Sequence, residues 1–440
     1  METKVVKIIG GGLAGCEACY QLLKRGVSVE LYEMRPKKMT PCHTTEKLAE
    51  LVCSNSLKSC DEDTASGTLK LELQSLDSLL LKCAKICAVP AGSTLAVDRI
   101  EFSNKVTAEL LKFNNFKLIT EEVTKIDLNS PTIIATGPLT SDNFNKEILS
   151  IVEDTKNLHF YDAVAPIIDA LSIDYTKAFF AARYQKGEPT DYLNCAFSKE
   201  EYLTFYNELI NAKCVETKNF EKNEIFESCM PLEVMAKRGE DTIRFGPLKP
   251  VGIKKEGSDQ KFYAVLQLRK ENKQATMYNI VGFQTNLIWG EQKRVIHLIP
   301  GLENAEILRY GVMHRNTFIN APTVINVAMQ TKKYPNLFFA GQITGVEGYM
   351  ESVMSGAIAG INMFNFLNDK PQFVPPITTI TGALCNYITT CNSSNFQPMN
   401  SNFGVLPPLD FLVKDKKLRK KEYSKRANSD IIKYCKENLN

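Results

Sequence analysis

The sequence predicts an α/β fold in which both ends of the chain form one domain and a second, α+β domain is inserted between them. Residues 5–33 have the pattern of a strand, a glycine turn, a helix, a second strand and an acidic residue. Residues 335–360 repeat the order of strand, glycines and helix about 300 residues further along. Between about 181 and 300, strand-like runs alternate with charged and turn residues, which is typical of a separate α+β domain.

The first element is an apolar strand from Val5 to Ile9, followed by a glycine turn and an amphipathic helix that ends near Gly26. The turn satisfies G-x-G-x-x-G in the context of a dinucleotide-binding fold: one glycine permits the tight turn, one lets the backbone approach a pyrophosphate, and one allows close helix–strand packing. The next strand, 27–32, ends about where such folds place an acid on the ribose hydroxyls. The predicted cofactor-binding residues here are Gly10, Gly11, Gly12, Leu13, Ala14, Gly15, Glu33 and Arg35.

The matching segment near the other end begins with a buried strand from Leu337 to Ala340 and continues into glycines and a helix of small residues. Such a layout brings backbone close to a flat or anionic ligand and starts a helix there. The first glycine loop alone does not show whether the cofactor is FAD or NAD. A chain that returns to its first domain after some 300 residues fits a two-part FAD site better than a compact NAD-binding fold. We therefore predict a Rossmann-like FAD-binding domain of the glutathione-reductase type. Its further cofactor residues are Gly137, after a strand at 131–135, and Gly341, Gln342, Gly345 and Glu351.

Composition is that of a globular enzyme with more than one domain. The 440 residues are 44% hydrophobic and 23% charged, and 53 basic against 50 acidic residues give a net charge of +3, too small to name a partner. No apolar run approaches the ~20 residues that span a bilayer, and the chain starts in a strand, so we expect a cytoplasmic protein with no membrane segment. The thirteen cysteines are an odd number and predict neither a disulfide framework nor a metal site.

The predicted FAD-binding domain consists of residues 1–180 and 301–440, and the inserted α+β domain of residues 181–300. Helical stretches are expected near 67–87 and 99–113, and strands in the insert at 262–268 and 278–283. The tail after Pro408 is predicted to be helical and basic, with ten Lys/Arg against five Asp/Glu from Asp410 onward. Such a face is usually only solvated, and its alternative role is contact with an anionic partner such as RNA.

Two thiols are candidates for chemistry. Cys53 lies between an apolar turn and a polar stretch, where a thiol beside a flavin would be favoured as thiolate by a positive field. Cys229 precedes Met-Pro-Leu-Glu and a basic pair, and a thiolate is suited to adding to an electron-poor ring carbon. Glu233 follows closely enough to transfer a proton or hold a substrate. For each cysteine the other interpretation is an inert core thiol.

A third candidate is the segment 309–320, which is dense in Arg, His and Asn just before the first domain resumes. Single histidines are more often structural than functional. His314 differs because Arg309, Arg315 and Asn316 surround it with donors suited to an anionic or heteroaromatic substrate.

Five motifs, in order, resemble one known family over nearly the whole chain: GGGLAGCEA, LVCSNS, ESCMPLE, YGVMHRNT and FAGQITGVEGY. They are similar to the TrmFO family, the folate- and FAD-dependent tRNA uracil-5 methyltransferases, and none departs from the family at a motif position. The resemblance implies methylation of the T-loop uridine at tRNA position 54, with carbon from 5,10-methylenetetrahydrofolate and electrons from NADH or NADPH.

The resemblance also implies residue roles. Cys229 would add to uracil C6, so that C5 becomes nucleophilic, and FAD would carry the carbon and supply hydride. Cys53 would lie by the flavin and is our candidate for the base that removes the C5 proton. His314 would stack on the pterin of folate, and the remaining expected substrate-binding residues are Arg309, Arg315, Asn316 and Tyr349.

Three alternatives stay open at this point. The GidA-type flavoproteins share the N-terminal glycine motif and act on a tRNA wobble uridine, but they carry a long helical C-terminal domain for which we expect no room here. A paralogue with the same chemistry methylates a 23S rRNA uridine. A plain flavin reductase would leave the Cys229 motif and the insert unexplained.

Overall fold

The structure is a computed structural model and describes residues 5–40, 42–153, 158–215, 230–258 and 260–439. The strands are β1 (Val5–Ile9), β2 (Ser28–Glu33), β3 (Ser56–Ser59), β4 (Ala88–Val89), β5 (Thr94–Val97), β6 (Phe116–Thr120), β7 (Thr132–Ile134), β8 (Leu158–Ala163), β9 (Ile167–Asp169), β10 (Phe179–Phe180), β11 (Tyr192–Phe197), β12 (Ala264–Lys270), β13 (Met277–Ile280), β14 (Ile307–Arg309), β15 (Met313–Phe318) and β16 (Leu337–Phe339). The helices are α1 (Leu13–Leu23), α2 (Ala65–Ser75), α3 (Leu79–Ile86), α4 (Arg99–Leu110), α5 (Asp142–Val152), α6 (Lys199–Asn211), α7 (Leu232–Ala236), α8 (Glu240–Phe245), α9 (Trp289–Ile296), α10 (Ala321–Val324), α11 (Tyr349–Leu367), α12 (Ile380–Thr390) and α13 (Lys416–Asn438).

The first domain is built on a five-stranded parallel sheet with the order β16-β7-β1-β2-β6. The chain runs from β1 to β2 on one side and adds β7 on the other side of β1, so the carboxyl ends of β1 and β7 flank a point where the strand order reverses. Open α/β sheets bind ligands at such a point. The predicted α/β class is confirmed, and the N-terminal and C-terminal strand–glycine–helix segments belong to one sheet.

Close packing of two helices joins the chain ends. A Cβ atom added to Gly356 of α11 would lie 2.3 Å from the carbonyl oxygen of Ala14, and one added to Gly360 would lie 2.7 Å from that of Ala18. The small residues of α11 therefore bring its backbone against α1, rather than against a ligand, because only glycine leaves room for this approach.

The inserted domain is a six-stranded antiparallel sheet with the order β10-β11-β12-β13-β9-β14 and has its own hydrophobic core. Its first strand, β9, begins at Ile167 and its last, β14, ends at Arg309. The insert thus extends beyond both predicted boundaries, 181 and 300, because β9 and β14 pair with each other where the chain enters and leaves it. The antiparallel pair β8–β15 connects it to the first domain.

Two predicted helical regions differ in detail. The 67–87 stretch forms two helices because Asp77 adopts a positive φ of 58° and the Ser78 hydroxyl caps α3 by accepting from the Leu81 N–H. The basic tail forms α13, which packs on α2, where the hydroxyls of Thr68 and Ser424 are 3.0 Å apart. One face of α13 is therefore buried, and its lysines and arginines lie on the others.

Candidate functional site

One cavity joins the two glycine segments. It is lined by residues from both ends of the chain, among them Gly10 and Gly341. Its walls come from the β1–α1 turn, the ends of β2 and β7, and the turn between β16 and α11. The predicted cofactor residues that line it are Gly10, Gly11, Gly12, Leu13, Ala14, Glu33, Arg35, Gly137, Gly341 and Gln342.

The β1–α1 turn depends on three glycines in different ways. Gly10 has a φ of +107°, and a Cβ there would lie 2.5 Å from the Ala135 carbonyl oxygen. A Cβ on Gly15 would lie 1.9 Å from the carbonyl oxygen of Gly10, so Gly15 fits the helix against the turn and does not line the cavity. A Cβ on Gly12 would meet nothing within 4 Å. Gly12 is the N-cap of α1 and offers no side-chain cap, so this turn can present backbone N–H groups to a pyrophosphate.

Hydrogen bonds from the glycine turn and from Arg35 hold the Glu33 carboxylate in position. It accepts from the Gly11 N–H at 3.0 Å and from the Arg35 Nε at 3.1 Å, and Arg35 also binds Glu50 at 3.0 Å. Burial acts to raise the pKa of Glu33, but the hydrogen bonds and charge of Arg35 outweigh it and hold that pKa below its ordinary value. The carboxylate is thus an ionised acceptor at the cavity wall, as contact with ribose hydroxyls requires, while Arg35 acts as its support.

Besides Gly15, two predicted cofactor residues lie away from the cavity. Gly345 packs against Phe396, whose Cζ would be 2.3 Å from an added Cβ. Glu351 is buried in the first turn of α11 and accepts from Lys58 at 3.0 Å and from the N–H and hydroxyl of Ser401. Neither lines the cavity. The sequence spacing of Gly345 and Glu351 predicts contact with the cofactor. In the structure, the contacts of both residues with other parts of the protein hold the turn before α11 in place.

Cys53 does not line this cavity, but it contacts Tyr349, which does. Its backbone N–H donates to the Tyr349 hydroxyl at 2.8 Å, and its Sγ is 3.9 Å from the Ala163 carbonyl oxygen. Burial raises the pKa of the thiol, Asp162 raises it further, and the charges of Arg99 and Arg309 only partly oppose this. The expected positive field is present, but the effect of burial is larger, so that this environment favours the thiol over the thiolate.

Two arginines surround the Cys53 backbone. Arg99 donates to the Leu51 carbonyl at 2.6 Å and to that of Cys53 at 3.3 Å, and it forms an ion pair with Glu271. Arg309 donates to the Val52 carbonyl at 3.1 Å. Sequence reasoning named Arg309 but missed Arg99, which lies in no motif and reaches the site from the start of α4.

A group of buried acids lies near Cys53, also unrecognised from the sequence. Glu347 is only 7% exposed and accepts from the Gln342 Nε2 at 2.5 Å. Burial raises the pKa of Glu347 to about 8, Asp162 and Glu351 add to this, and Lys58 opposes it. The protonated carboxyl is therefore favoured at neutral pH, and it contacts Gln342, which lines the cavity.

This shift predicts a pH-dependent stability. A carboxyl whose folded pKa is about 8 and whose ordinary value is 4.5 contributes stability that is fully present below about pH 4.5 and is lost as pH rises to 8. A Glu347→Gln variant has no titratable group at this position, so we expect its stability not to show this decrease with rising pH. In urea unfolding between pH 5.5 and 8, the stability of the parent relative to the variant should fall by about 1 kcal/mol per pH unit.

Glu306→Gln, which changes an exposed carboxylate of the same chain, is the matched control and should leave the pH profile of the parent unchanged. Parallel pH profiles for the parent and Glu347→Gln would contradict the prediction.

The predicted nucleophile, Cys229, lies in residues 216–229, outside the described part of the chain. The described residues on both sides of it bind one loop, 284–288: the Val215 N–H donates to the Asn286 carbonyl at 2.8 Å, and the Leu232 N–H to that of Gln284 at 2.7 Å. Glu233, 1% exposed, accepts from the Thr285 hydroxyl at 2.9 Å and the Asn286 N–H at 2.7 Å. Burial raises the pKa of Glu233. Both of its oxygens thus attach α7 to this loop, an arrangement that favours a structural role over proton transfer.

The 309–320 segment forms β14, a turn and β15. The backbone of His314 pairs with Asp162 and that of Arg315 with Tyr161, while the side chains of both residues lie outside the described part of the structure. Asn316 is fully buried, and its amide has no hydrogen-bond partner among the described residues. Buried polar groups are normally paired, so Asn316 has unused capacity for a polar ligand.

The described residues contain no helix long and apolar enough to cross a membrane. Within the same part of the chain, no cluster of three or more His, Cys, Asp or Glu side chains has the arrangement of a metal site.

Comparison with known proteins places the chain in a class and then in a family. The family model described as "Glucose inhibited division protein A" matches residues 5–371. Aquifex aeolicus GidA in its form II crystal has the same fold, with a TM-score of 0.67 and 16% identity over 99% of this chain and 75% of that one. Fold and cavity therefore define an α/β protein of the GidA class.

Curated relatives identify the branch of that class. The chain is 53% identical over 437 residues, 99% of its length and 100% of the relative's, to a methylenetetrahydrofolate–tRNA-(uracil-5-)-methyltransferase TrmFO of Halalkalibacterium halodurans. It is 53% identical to a protein of the same name from Acetivibrio thermocellus, over 98% of each chain. The chain belongs to the TrmFO family, and the resemblance seen in its motifs is confirmed.

Proposed function

We propose that this protein is a cytoplasmic enzyme that methylates C5 of a tRNA uridine, at position 54 of the T loop, with 5,10-methylenetetrahydrofolate as carbon donor. The observation that carries the proposal is full-length identity of 53% to relatives named for this activity. FAD is the proposed cofactor and NADH or NADPH the reductant. The reaction consumes one uridine, one 5,10-methylenetetrahydrofolate, one NAD(P)H and one proton. It forms one 5-methyluridine, one tetrahydrofolate and one NAD(P)⁺.

The cavity supports FAD as the cofactor. The open face of Gly12 would take the pyrophosphate, the Glu33 carboxylate a ribose, and the wall from Gly341 to Tyr349 the flavin end. When bound, FAD supplies the means of accepting the folate carbon and delivering it with reducing electrons.

The protein's own part begins with uracil. A thiolate of Cys229 would add to C6, forming a C–S bond and moving the ring electrons to C5, which can then attack the methylene carbon. After the attack, loss of the C5 proton would release the carbon from its carrier as a methylene on C5, a hydride would convert this methylene to a methyl group, and expulsion of the Cys229 thiolate would restore the ring. Cys53 is our candidate for the group that takes this proton; burial disfavours the thiolate that this role needs, and the charges of Arg99 and Arg309 oppose that effect in part.

The substrate-binding residues complete the proposal. His314 would stack on the pterin of folate, with Arg309, Arg315 and Tyr349 nearby in the chain or the fold. The amide of buried Asn316, which has no hydrogen-bond partner among the described residues, supports binding of a polar ring. Glu233 is kept as a positioning residue for the segment that carries Cys229, through its bonds to loop 284–288.

The proposal is tested by incubating the FAD-bound enzyme and NADH with folate carrying a labelled methylene group. Separately purified, unmodified tRNA and 23S rRNA fragments are the acceptors. We expect label in tRNA, in the methyl group of 5-methyluridine. Label only in rRNA would assign the substrate to the rRNA alternative, and label in neither, with NADH oxidised regardless of folate and RNA, would refute the methyltransferase proposal.

A further inference from the structure

The surface of the insert carries an unusual aromatic pair. Trp289, at the start of α9, is the only tryptophan of the chain, and 64% of its surface is exposed. It stacks on Tyr310, with ring centroids 5.1 Å apart and an angle of 16° between the planes. Large aromatic side chains are mostly buried on average, so an exposed indole held flat by a second ring indicates a surface built for contact.

This pair is fixed close to the chain segment that contains Cys53. Tyr310 directly follows Arg309, which donates to the Val52 carbonyl. Gln292 of α9 locks the helix to the same segment, since its Nε2 donates to the Gly311 carbonyl at 2.9 Å and its Oε1 accepts from the Gly311 N–H at 2.8 Å. A ligand stacked on the indole would therefore meet a preformed surface.

The other flank of the pair is the loop 284–288, which binds the described residues on both sides of the Cys229 segment. Exposed lysines surround this loop. The carbonyl of Lys213 accepts from the Ile288 N–H at 3.1 Å, Lys237 ends α7 beside Glu233, and Lys293 lies one turn along α9 from Trp289. An exposed aromatic ring with cations around it complements a nucleobase and its phosphates.

We propose that Trp289 and Tyr310 form a stacking platform for an unpaired nucleobase of the RNA substrate, with the surrounding lysines contacting its phosphates. This inference rests on the proposed function. A uridine whose C5–C6 edge reaches a thiol and a flavin must leave its stack, and its neighbours then lose a stacking partner that the platform replaces. A paired duplex offers no free base face and would not bind in this way.

The first test uses the emission of the single tryptophan in the FAD-bound enzyme. Unmodified tRNA transcript should quench this emission and shield the indole from acrylamide, whereas a fully paired RNA duplex of equal length should do neither. Unchanged emission at saturating tRNA, or an equal response to the duplex, would overturn the proposal.

The second test compares variants. Trp289→Ala should weaken tRNA binding about 10-fold and raise the KM for tRNA, while Trp289→Phe, which keeps an aromatic face, should retain most of both. Phe411→Ala removes a ring of similar exposure, 57%, from a different surface and is the matched control. The rate at which NADH reduces the flavin should be the same in all four proteins.

The outcomes separate this proposal from the proposed function. Full methylation by the parent enzyme together with parental tRNA affinity and KM in Trp289→Ala would overturn the platform alone. An effect of Trp289→Ala on the KM for NADH instead of tRNA would assign the platform to the nicotinamide cofactor and also overturn it. If the parent methylates no RNA, the proposed function fails, and the tRNA titration still decides the platform.

Discussion

A Gly15→Ala variant will lose FAD and much of its stability. The added Cβ would lie 1.9 Å from the carbonyl oxygen of Gly10 and 3.2 Å from its carbonyl carbon. Both are backbone atoms, so the contact can be relieved only by moving α1 away from the turn, and α1 also carries the close contact with α11. We expect a loss of about 3 kcal/mol in the free energy of unfolding, with colourless purified protein.

Gly12→Ala is the matched control, since an added Cβ there meets nothing within 4 Å and Gly12 has an ordinary φ of −78°. Its stability without FAD should stay within about 1 kcal/mol of the parent. Its FAD affinity should nevertheless fall, because the methyl group occupies the face where the pyrophosphate is proposed to lie. Urea unfolding of FAD-free protein and FAD titration measure the two quantities. Full FAD occupancy in Gly12→Ala would contradict the placement of the cofactor.

A Cys229→Ala variant will remain yellow and will not methylate RNA. Removal of a covalent nucleophile costs several orders of magnitude in turnover, because no neighbouring group replaces the bond that it forms. The cavity that we assign to FAD is lined by residues of the first domain, so cofactor content and the rate of flavin reduction by NADH should match the parent. Methyl incorporation from labelled folate and the flavin absorbance spectrum give the two readouts.

Cys214→Ala controls for the loss of a thiol from the same part of the insert, since Cys214 is half-buried and its backbone pairs with Leu287 of the same domain. It should retain methyl transfer within a few-fold of the parent. Parental activity in Cys229→Ala, or equal losses in the two variants, would remove Cys229 from the role of nucleophile.

The parallel sheet was the most predictable part of the molecule. Strand β1 runs from Val5 to Ile9 as its apolar run predicts, and β2 ends at Glu33. Buried parallel strands read as continuous apolar runs, and the glycines that end them are needed for local reasons of φ and close approach. The insert was harder to bound, because β9 and β14 owe their place to pairing with each other, and neither three-residue strand has a pattern of its own.

The site was predictable only in part. The glycine turn and Glu33 lie where the local motif puts them, on one cavity wall with Gly341 and Gln342. The sequence did not identify Arg99, Lys58 and Glu347 as site residues. The importance of each is visible only from the buried group that it contacts in the folded structure. Glu351 was assigned to the cofactor because it follows a glycine segment, but Lys58 and Ser401 bind it inside the protein.

The sequence by itself determined the class of fold, the cofactor turn and the family, because these rest on patterns within short stretches: apolar runs, glycines at required backbone positions and motifs in a set order. Tertiary structure alone decided which side chains share an environment. Burial favours the protonated form of the Cys53 thiol despite two nearby arginines, and it raises the pKa of Glu347 to about 8. Desolvation and charge act across space between residues that are hundreds of positions apart, and no local pattern in the chain records them.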